Sequence, residues 1–215
     1  MAFSKDQLVD LYRKRAPAYD LSANLYYLLG FREWAYRKAA VRALQLAPGD
    51  TVVEVGCGTG LNFGLLRKAV GPEGRIVGVD LTDAMLAEAR ERVESEGWDN
   101  VELVRSDAAA FDFPDGISGI LSTFALTLVP EYDEVIRRGA GALEPGERWV
   151  VADLKLPDGG WQKALLPLLL PLFRPFGVTL DLAERRPWES LERHLPEFGM
   201  EERYFGYTYV AWGEK

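Results

Sequence analysis

Three glycines and a glutamate form the segment whose chemistry is easiest to interpret. Gly56, Gly58 and Gly60 follow a short β-branched run, and Glu54 lies two residues before the first of them. Glycine permits a tight turn and lets the backbone approach a ligand without an intervening Cβ. A dinucleotide fingerprint would have its third glycine where this chain has Leu61, and the carboxylate of Glu54 would repel a pyrophosphate. The segment therefore predicts a binding loop for a cationic ligand.

Two aspartates are expected to lie beside this loop. Asp80 comes twenty residues after Gly60, at the end of the second predicted strand, and Asp107 follows the third predicted strand. A carboxylate at the end of the second strand accepts hydrogen bonds from both hydroxyls of a ribose. We expect Asp107 to accept a hydrogen bond from an adenine amino group. Together these groups predict a site for an adenosine that carries a positively charged tail.

The hydrophobic pattern predicts the elements that position these groups. Predicted strands lie at 51–55, 75–80, 101–105, 117–122 and 148–154, and predicted helices at 61–70, 82–96 and 132–143. This alternation is typical of an α/β fold with a Rossmann-like doubly wound sheet, mostly parallel, which binds ligands at the carboxyl ends of its strands. An aromatic run at 204–212 predicts an antiparallel C-terminal edge.

The chain as a whole is predicted to be a single domain of 215 residues. N-terminal helices at 1–47 would form a cap, 48–155 the cofactor-binding core, and 156–215 a lid and the C-terminal strands. A net charge of −8 argues against a nucleic-acid partner. With one cysteine, Cys57, and one histidine, His194, we expect no disulfide and no metal. Without an export segment or a membrane span, the predicted location is cytoplasmic.

Three ordered elements carry a family resemblance. They are Val-Glu-Val-Gly-Cys-Gly-Thr-Gly at 53–60, Val-Gly-Val-Asp at 77–80 and Ser-Asp-Ala at 106–108. The chain resembles the class I S-adenosylmethionine-dependent methyltransferases over roughly residues 45–155. The resemblance implies S-adenosyl-L-methionine as cofactor and S-adenosyl-L-homocysteine as product. The cofactor-binding residues that we expect are Tyr19, Glu54, Gly56, Cys57, Gly58, Thr59, Gly60, Asn62, Asp80, Leu81, Met85, Ser106, Asp107, Ala108 and Ser122.

The methyl acceptor is predicted to be a small or lipid-like molecule. The Tyr19-Asp20 pair upstream of the glycine loop resembles, loosely, the subgroup that methylates quinone precursors and phospholipid amines. Amine N-methylation is slightly favoured, with C- or O-methylation of a quinol or phenol as the alternative. A nicotinamide-dependent oxidoreductase and a non-catalytic adenosylmethionine-binding module stay open outside this class. The candidate catalytic residues are Tyr19, Tyr26, Tyr207, Tyr209 and His194.

Two segments outside the core suggest peripheral contact with the inner membrane surface. Residues 161–180 are apolar, with prolines at every fourth position from 167 to 175, and predict a kinked hydrophobic lid. Residues 1–47 carry a net charge of +4, including the run Arg13-Lys14-Arg15, although the remainder is acidic. A basic amphipathic helix is attracted to anionic lipid. The sequence does not predict an oligomeric state.

The choice of cofactor is tested by ligand-induced stabilisation. Adenosylmethionine and adenosylhomocysteine should raise the melting temperature of the protein, because both bind only the folded state. NADH should leave it unchanged, because Glu54 disfavours a pyrophosphate. A stabilisation by NADH alone would contradict the methyltransferase assignment.

Overall fold

A seven-stranded mixed sheet forms the centre of the molecule. The computed structural model describes residues 4–20, 31–155 and 185–215. The sheet order is β3-β2-β1-β4-β5-β7-β6, and only β7 among these strands runs antiparallel to the rest. The strands are β1 (Thr51–Val55), β2 (Arg75–Asp80), β3 (Val101–Arg105), β4 (Ile117–Thr123), β5 (Leu143–Leu154), β6 (Glu197–Arg203) and β7 (Thr208–Glu214). The predicted doubly wound sheet with its antiparallel C-terminal edge is confirmed.

Helices cover both faces of this sheet. They are α1 (Lys5–Arg15), α2 (Glu33–Ala43), α3 (Phe63–Val70), α4 (Asp83–Ser95), α5 (Tyr132–Ala142) and α6 (Pro187–His194). Because side chains alternate along a strand, Val52 packs under α2, α3 and α4, whereas Val53 faces the cluster that contains α5 and α6. Because β1 to β4 are parallel, their carboxyl ends lie at one edge of the sheet, between the two layers of helices.

Several predicted boundaries differ from the structure. The helix expected from residue 61 begins at Phe63, because the glycine loop continues through one more turn. The strand expected from residue 148 begins at Leu143, which pairs with Ile117 before the register shifts. The strand β6 was not predicted. It is an edge strand with exposed Glu201, Glu202 and Arg203, so it lacks a strong apolar alternation.

Two expectations concern residues outside the described ranges. The predicted lid at 161–180 and the candidate Tyr26 both lie there. Across the ranges that are described, no helix combines the length and the apolar character needed to cross a membrane.

Close packing between α5 and the sheet makes Gly139 sensitive to substitution. A Cβ at this position would overlap the ring of Trp149 and approach Ile120, whereas a Cβ at Gly141 on the same helix would meet open space. Gly139→Ala should therefore lower the free energy of unfolding by about 1–3 kcal/mol through overpacking. Urea denaturation measures this change.

Gly141→Ala is the matched control. It introduces the same methyl group two residues away, and it should be neutral or stabilising by up to about 1 kcal/mol, because alanine is the better helix former. Equal effects of the two substitutions would show that helix propensity, and not contact with Trp149, determines the result.

Candidate functional site

The glycine loop turns back over β2 as it leaves β1. The backbone N–H groups of Gly56 and Cys57 donate to the carbonyl of Val79 at 2.8 and 3.0 Å. Gly56 has a φ of +73°, and a Cβ there would overlap that of Ala125. Gly58 has a φ of +56°, and a Cβ there would meet nothing within 4 Å. The first glycine is thus required by packing, and the second presents bare backbone to open space.

Asp80 braces this loop and also faces the pocket beside it. One carboxylate oxygen accepts from the N–H of Gly58 at 2.9 Å, and the other accepts from the N–H of Thr82 at 2.8 Å. Burial raises the pKa of Asp80 above its ordinary value despite these hydrogen bonds. Asp80 also lines the pocket, where a carboxylate is a hydrogen-bond acceptor for the hydroxyls of a ligand.

Asp107 lies at the other end of the pocket and is paired with Lys5 of α1. The Lys5 Nζ lies 2.6 Å from Asp107 and 2.9 Å from Glu131. The Ala109 N–H donates to the second oxygen of Asp107 at 3.0 Å. Partial burial opposes ionisation of Asp107, but these hydrogen bonds outweigh it and lower its pKa. Lys5 is 102 residues away in the chain, so no local sequence signal indicates this pair.

Glu54 lies beneath the glycine loop and does not line the pocket. Its carboxylate accepts from the Nδ2 of Asn62 at 2.5 Å, and the same amide donates to the hydroxyl of Thr123 at 2.8 Å. Burial raises the pKa of Glu54 to about 7. Ser122 likewise points to the backbone, donating to the carbonyl of Val55 at 2.9 Å. The structure therefore places Glu54, Asn62 and Ser122 in the support of the loop and not at the pocket surface.

A buried arginine that the sequence did not single out lines the pocket at the end of β4. The guanidinium of Arg37 donates from Nη1 to Thr123 at 2.7 Å, and from Nε and Nη2 to one oxygen of Glu33 at 2.8 and 2.6 Å. Its Cζ lies 5.3 Å from the ring centroid of Phe124. Burial disfavours the charge on Arg37, but Glu33 outweighs it and the pKa is raised. Helix α2 thus contributes a fixed cation to the site.

The first helix covers the opposite side of the pocket. Leu8, Val9 and Tyr12 line the pocket, and Arg13 binds Asp83 of α4 at 3.0 Å. This contact was not expected, because Arg13 was assigned to a basic surface facing lipid. The basic face of α1 is therefore partly neutralised by an exposed ion pair with α4.

The segment after α1 is tied to the glycine loop. Asp20 accepts from the hydroxyl of Thr59 at 2.7 Å and pairs with Arg92 of α4. Arg92 also donates from Nε to the carbonyl of Thr59 at 2.9 Å. Arg92 follows Glu88 by one helical turn, but its side chain is directed to the loop and to Asp20.

The candidate catalytic residues do not converge on one place. Tyr19 lines the pocket, and burial raises its pKa to about 12. Tyr209 packs in the core, with its ring 5.0 Å from that of Trp188. His194 ends α6 with its Nε2 3.3 Å from Asp133. Tyr207 is buried next to the β6–β7 turn and, like Tyr209 and His194, is not part of the pocket lining.

The order of the lining groups fits an extended adenosine with an amino-acid tail. Most of the predicted cofactor residues line one pocket, which together with the adjoining space open to solvent measures about 1000 Å³. These residues are Tyr19, Gly56, Cys57, Gly58, Thr59, Asp80, Leu81, Met85, Ser106, Asp107 and Ala108; Gly60 does not line it. The lining runs from the end of β3 to the end of β4, three strand spacings or about 14 Å.

Comparison with known proteins also supports adenosylmethionine as the cofactor. The family described as "Methyltransferase domain" matches residues 52–146. A demethylmenaquinone methyltransferase of Listeria welshimeri is 29% identical over 182 residues, which cover 82% of this chain and 76% of the relative. One of Shouchella clausii is 30% identical, with coverage of 73% and 67%. The structure of a SAM-dependent methyltransferase from Aquifex aeolicus has a TM-score of 0.59 at 22% identity, with coverage of 82% and 88%.

The predicted contact between Asp80 and a ribose is tested by removing the carboxylate. Asp80→Ala should weaken adenosylmethionine binding by about 1.5–3 kcal/mol, because hydrogen bonds to a charged group are lost. Calorimetric titration measures the affinity. The exposed Asp112, also on a loop after β3, provides the control, and Asp112→Ala should leave the affinity unchanged. An unaltered affinity in Asp80→Ala would remove Asp80 from the binding site.

Proposed function

Because this chain belongs to the class I family of S-adenosylmethionine-dependent methyltransferases, we propose that it methylates a ring carbon of a quinol. The observation that carries the proposal is its similarity to demethylmenaquinone methyltransferases over most of its length. The amine acceptor favoured by the sequence has less support, because those relatives are named for a quinone. The alternative acceptor, a quinol, becomes the main one.

The proposed binding roles follow the order of groups along the pocket. Asp107 would accept from the adenine amino group, Asp80 from the ribose hydroxyls, and the backbone at Gly56 and Gly58 would lie against the sulfonium end of the cofactor. The support is that these groups line one pocket, in that order, at adjacent strand ends. Glu54 would act from beneath by holding Asn62 and the loop.

Aromatic side chains near the end of β4 support a flat acceptor. Phe124 lines the pocket with a φ of +54°, a conformation that a bulky residue adopts only when its surroundings impose it. Phe31 packs against Phe124 with ring centroids 5.8 Å apart and against Tyr204 at 5.4 Å. Aromatic faces of this kind suit stacking or edge contacts with a quinol ring.

The chemistry requires alignment more than acid–base catalysis. When bound, adenosylmethionine would supply an electrophilic methyl group and leave as adenosylhomocysteine, and the methylated ring carbon would lose its proton, which ends in the bulk solvent. The chain's residues hold the two reactants in line and exclude water. Since the pKa of Tyr19 is about 12, its phenol stays protonated near neutral pH. Tyr19 would therefore orient an acceptor oxygen by donating a hydrogen bond, without removing a proton.

Contact with a membrane surface stays a prediction. A quinol with an isoprenoid chain would reach the enzyme from a bilayer, and Lys14 of α1 is exposed. Arg13, however, is bound to Asp10 and Asp83, which reduces the charge that α1 presents outward.

The acceptor is tested with methyl-labelled adenosylmethionine and three candidate substrates. A 2-polyprenyl-1,4-naphthoquinol, kept reduced, should acquire the label on its vacant ring carbon, with release of adenosylhomocysteine. The same compound in its oxidised form should acquire none, because the quinone ring carbon is not a nucleophile. Phosphoethanolamine should also stay unlabelled. Mass spectrometry and proton NMR of the product distinguish C- from O-methylation, and label found on the amine or only on oxygen would overturn the proposal.

A further inference from the structure

The end of β4 carries a cation whose role the methyltransferase reaction alone does not define. In the described part of the chain, the cationic side chains that line the pocket are Lys5 and Arg37. Lys5 lies at the β3 end and pairs with Asp107 and Glu131. Arg37 lies at the β4 end, beyond the glycine loop as seen from Asp80. The two cations thus face opposite ends of the pocket.

The guanidinium of Arg37 has hydrogen-bonding capacity left after its protein contacts. It carries five N–H groups. Three of them donate to Glu33 and Thr123. One N–H on each terminal nitrogen therefore has no acceptor among the residues that the structure describes. A pair of N–H groups on one planar guanidinium matches the two oxygens of a carboxylate.

The position of this arginine is fixed by its surroundings. Only 5% of Arg37 is exposed. Glu33 holds it along α2, Thr123 holds it to β4, and Phe124 lies against its face. Thr123 is itself bonded to Asn62, which is bonded to Glu54. The cation and the glycine loop therefore belong to one buried hydrogen-bond network, so a ligand group at the loop is also positioned relative to Arg37.

We propose that Arg37 binds the carboxylate of the methionine part of adenosylmethionine. With the adenine at Asp107 and the ribose at Asp80, the amino-acid tail extends over the glycine loop towards β4, where Arg37 lines the pocket. The carboxylate is the anionic group of that tail, and Arg37 is the cation at that end. The proposal depends on the cofactor and not on the identity of the acceptor. It therefore survives or fails independently of quinol methylation.

The experiment compares two ligands that differ only in this carboxylate. Adenosylmethionine and its decarboxylated analogue are titrated calorimetrically into the wild type, Arg37→Gln and Arg37→Lys. The wild type should bind adenosylmethionine about 10- to 100-fold more tightly than the analogue, the ratio expected for hydrogen bonds to a charged group. Arg37→Gln should reduce this ratio to about threefold or less, and Arg37→Lys should retain part of it because a lysine keeps the charge without the planar fork.

Binding of the decarboxylated analogue distinguishes loss of the carboxylate contact from a general loss of structure. Damage to the fold would weaken both ligands equally, whereas the proposal requires that Arg37→Gln bind the analogue as well as the wild type does. Because a buried Glu33 without its partner endangers folding, the double variant Glu33→Gln/Arg37→Gln, which removes both charges, repeats the measurement. The exposed Arg137→Gln serves as control and should keep the wild-type ratio.

Three results would overturn the proposal. They are a wild type that does not discriminate between the ligands, an Arg37→Gln variant that keeps the discrimination, and an equal loss for both ligands. If Arg37→Gln keeps the binding ratio but raises the KM for the methyl acceptor, the guanidinium instead faces an acceptor oxygen. Any of these results leaves the quinol assay unaffected.

Discussion

The hydrogen bond from the Gly58 N–H to the Asp80 carboxylate connects the glycine loop with the second strand, and the rest of the structure supports this connection. It joins the loop after β1 to the end of β2 at 2.9 Å, next to the bonds from Gly56 and Cys57 to Val79. A loop held in this way has a defined path, so its bare backbone faces the pocket in one conformation. Such preorganisation matters for methyl transfer, in which catalysis depends on alignment of the donor and the acceptor.

The support of this loop extends well beyond its own residues. Asn62 and Glu54 hold it from below, and Asp20 and Arg92 hold Thr59 from the side of α1 and α4. The network beneath is buried, and this burial raises the pKa of its carboxylate, Glu54, to about 7. Within this network, Oε2 of Glu54 and Oδ1 of Asn62 are buried and have no hydrogen-bond partner among the described residues. The glycine loop is therefore the part of a larger, mostly buried network that reaches the pocket.

Much of the fold and the cofactor pocket could be predicted from the sequence, because their signals are local. Gly56, Gly58 and Asp80 lie at strand ends that the hydrophobic pattern marks, and all three line the pocket. Glu54 was expected at the pocket surface, but its position in β1 directs it beneath the loop. Lys5 and Arg37 could not be predicted, because their partners Asp107 and Thr123 are far away in the chain. Strand β6 was missed because an edge strand with one neighbour needs little apolar pattern.

The way in which α1 is attached has a consequence for how the site opens. None of its residues is fully buried, and the ion pairs Lys5–Asp107 and Arg13–Asp83 join it to the rest of the protein. Ion pairs that water can reach weaken as ionic strength rises, and an element without fully buried residues opens at a lower free energy than the core. Since α1 lines the pocket, its backbone amides should exchange with solvent faster than those of β1 or β4. Product release would then require the same local opening of α1 that amide hydrogen exchange measures.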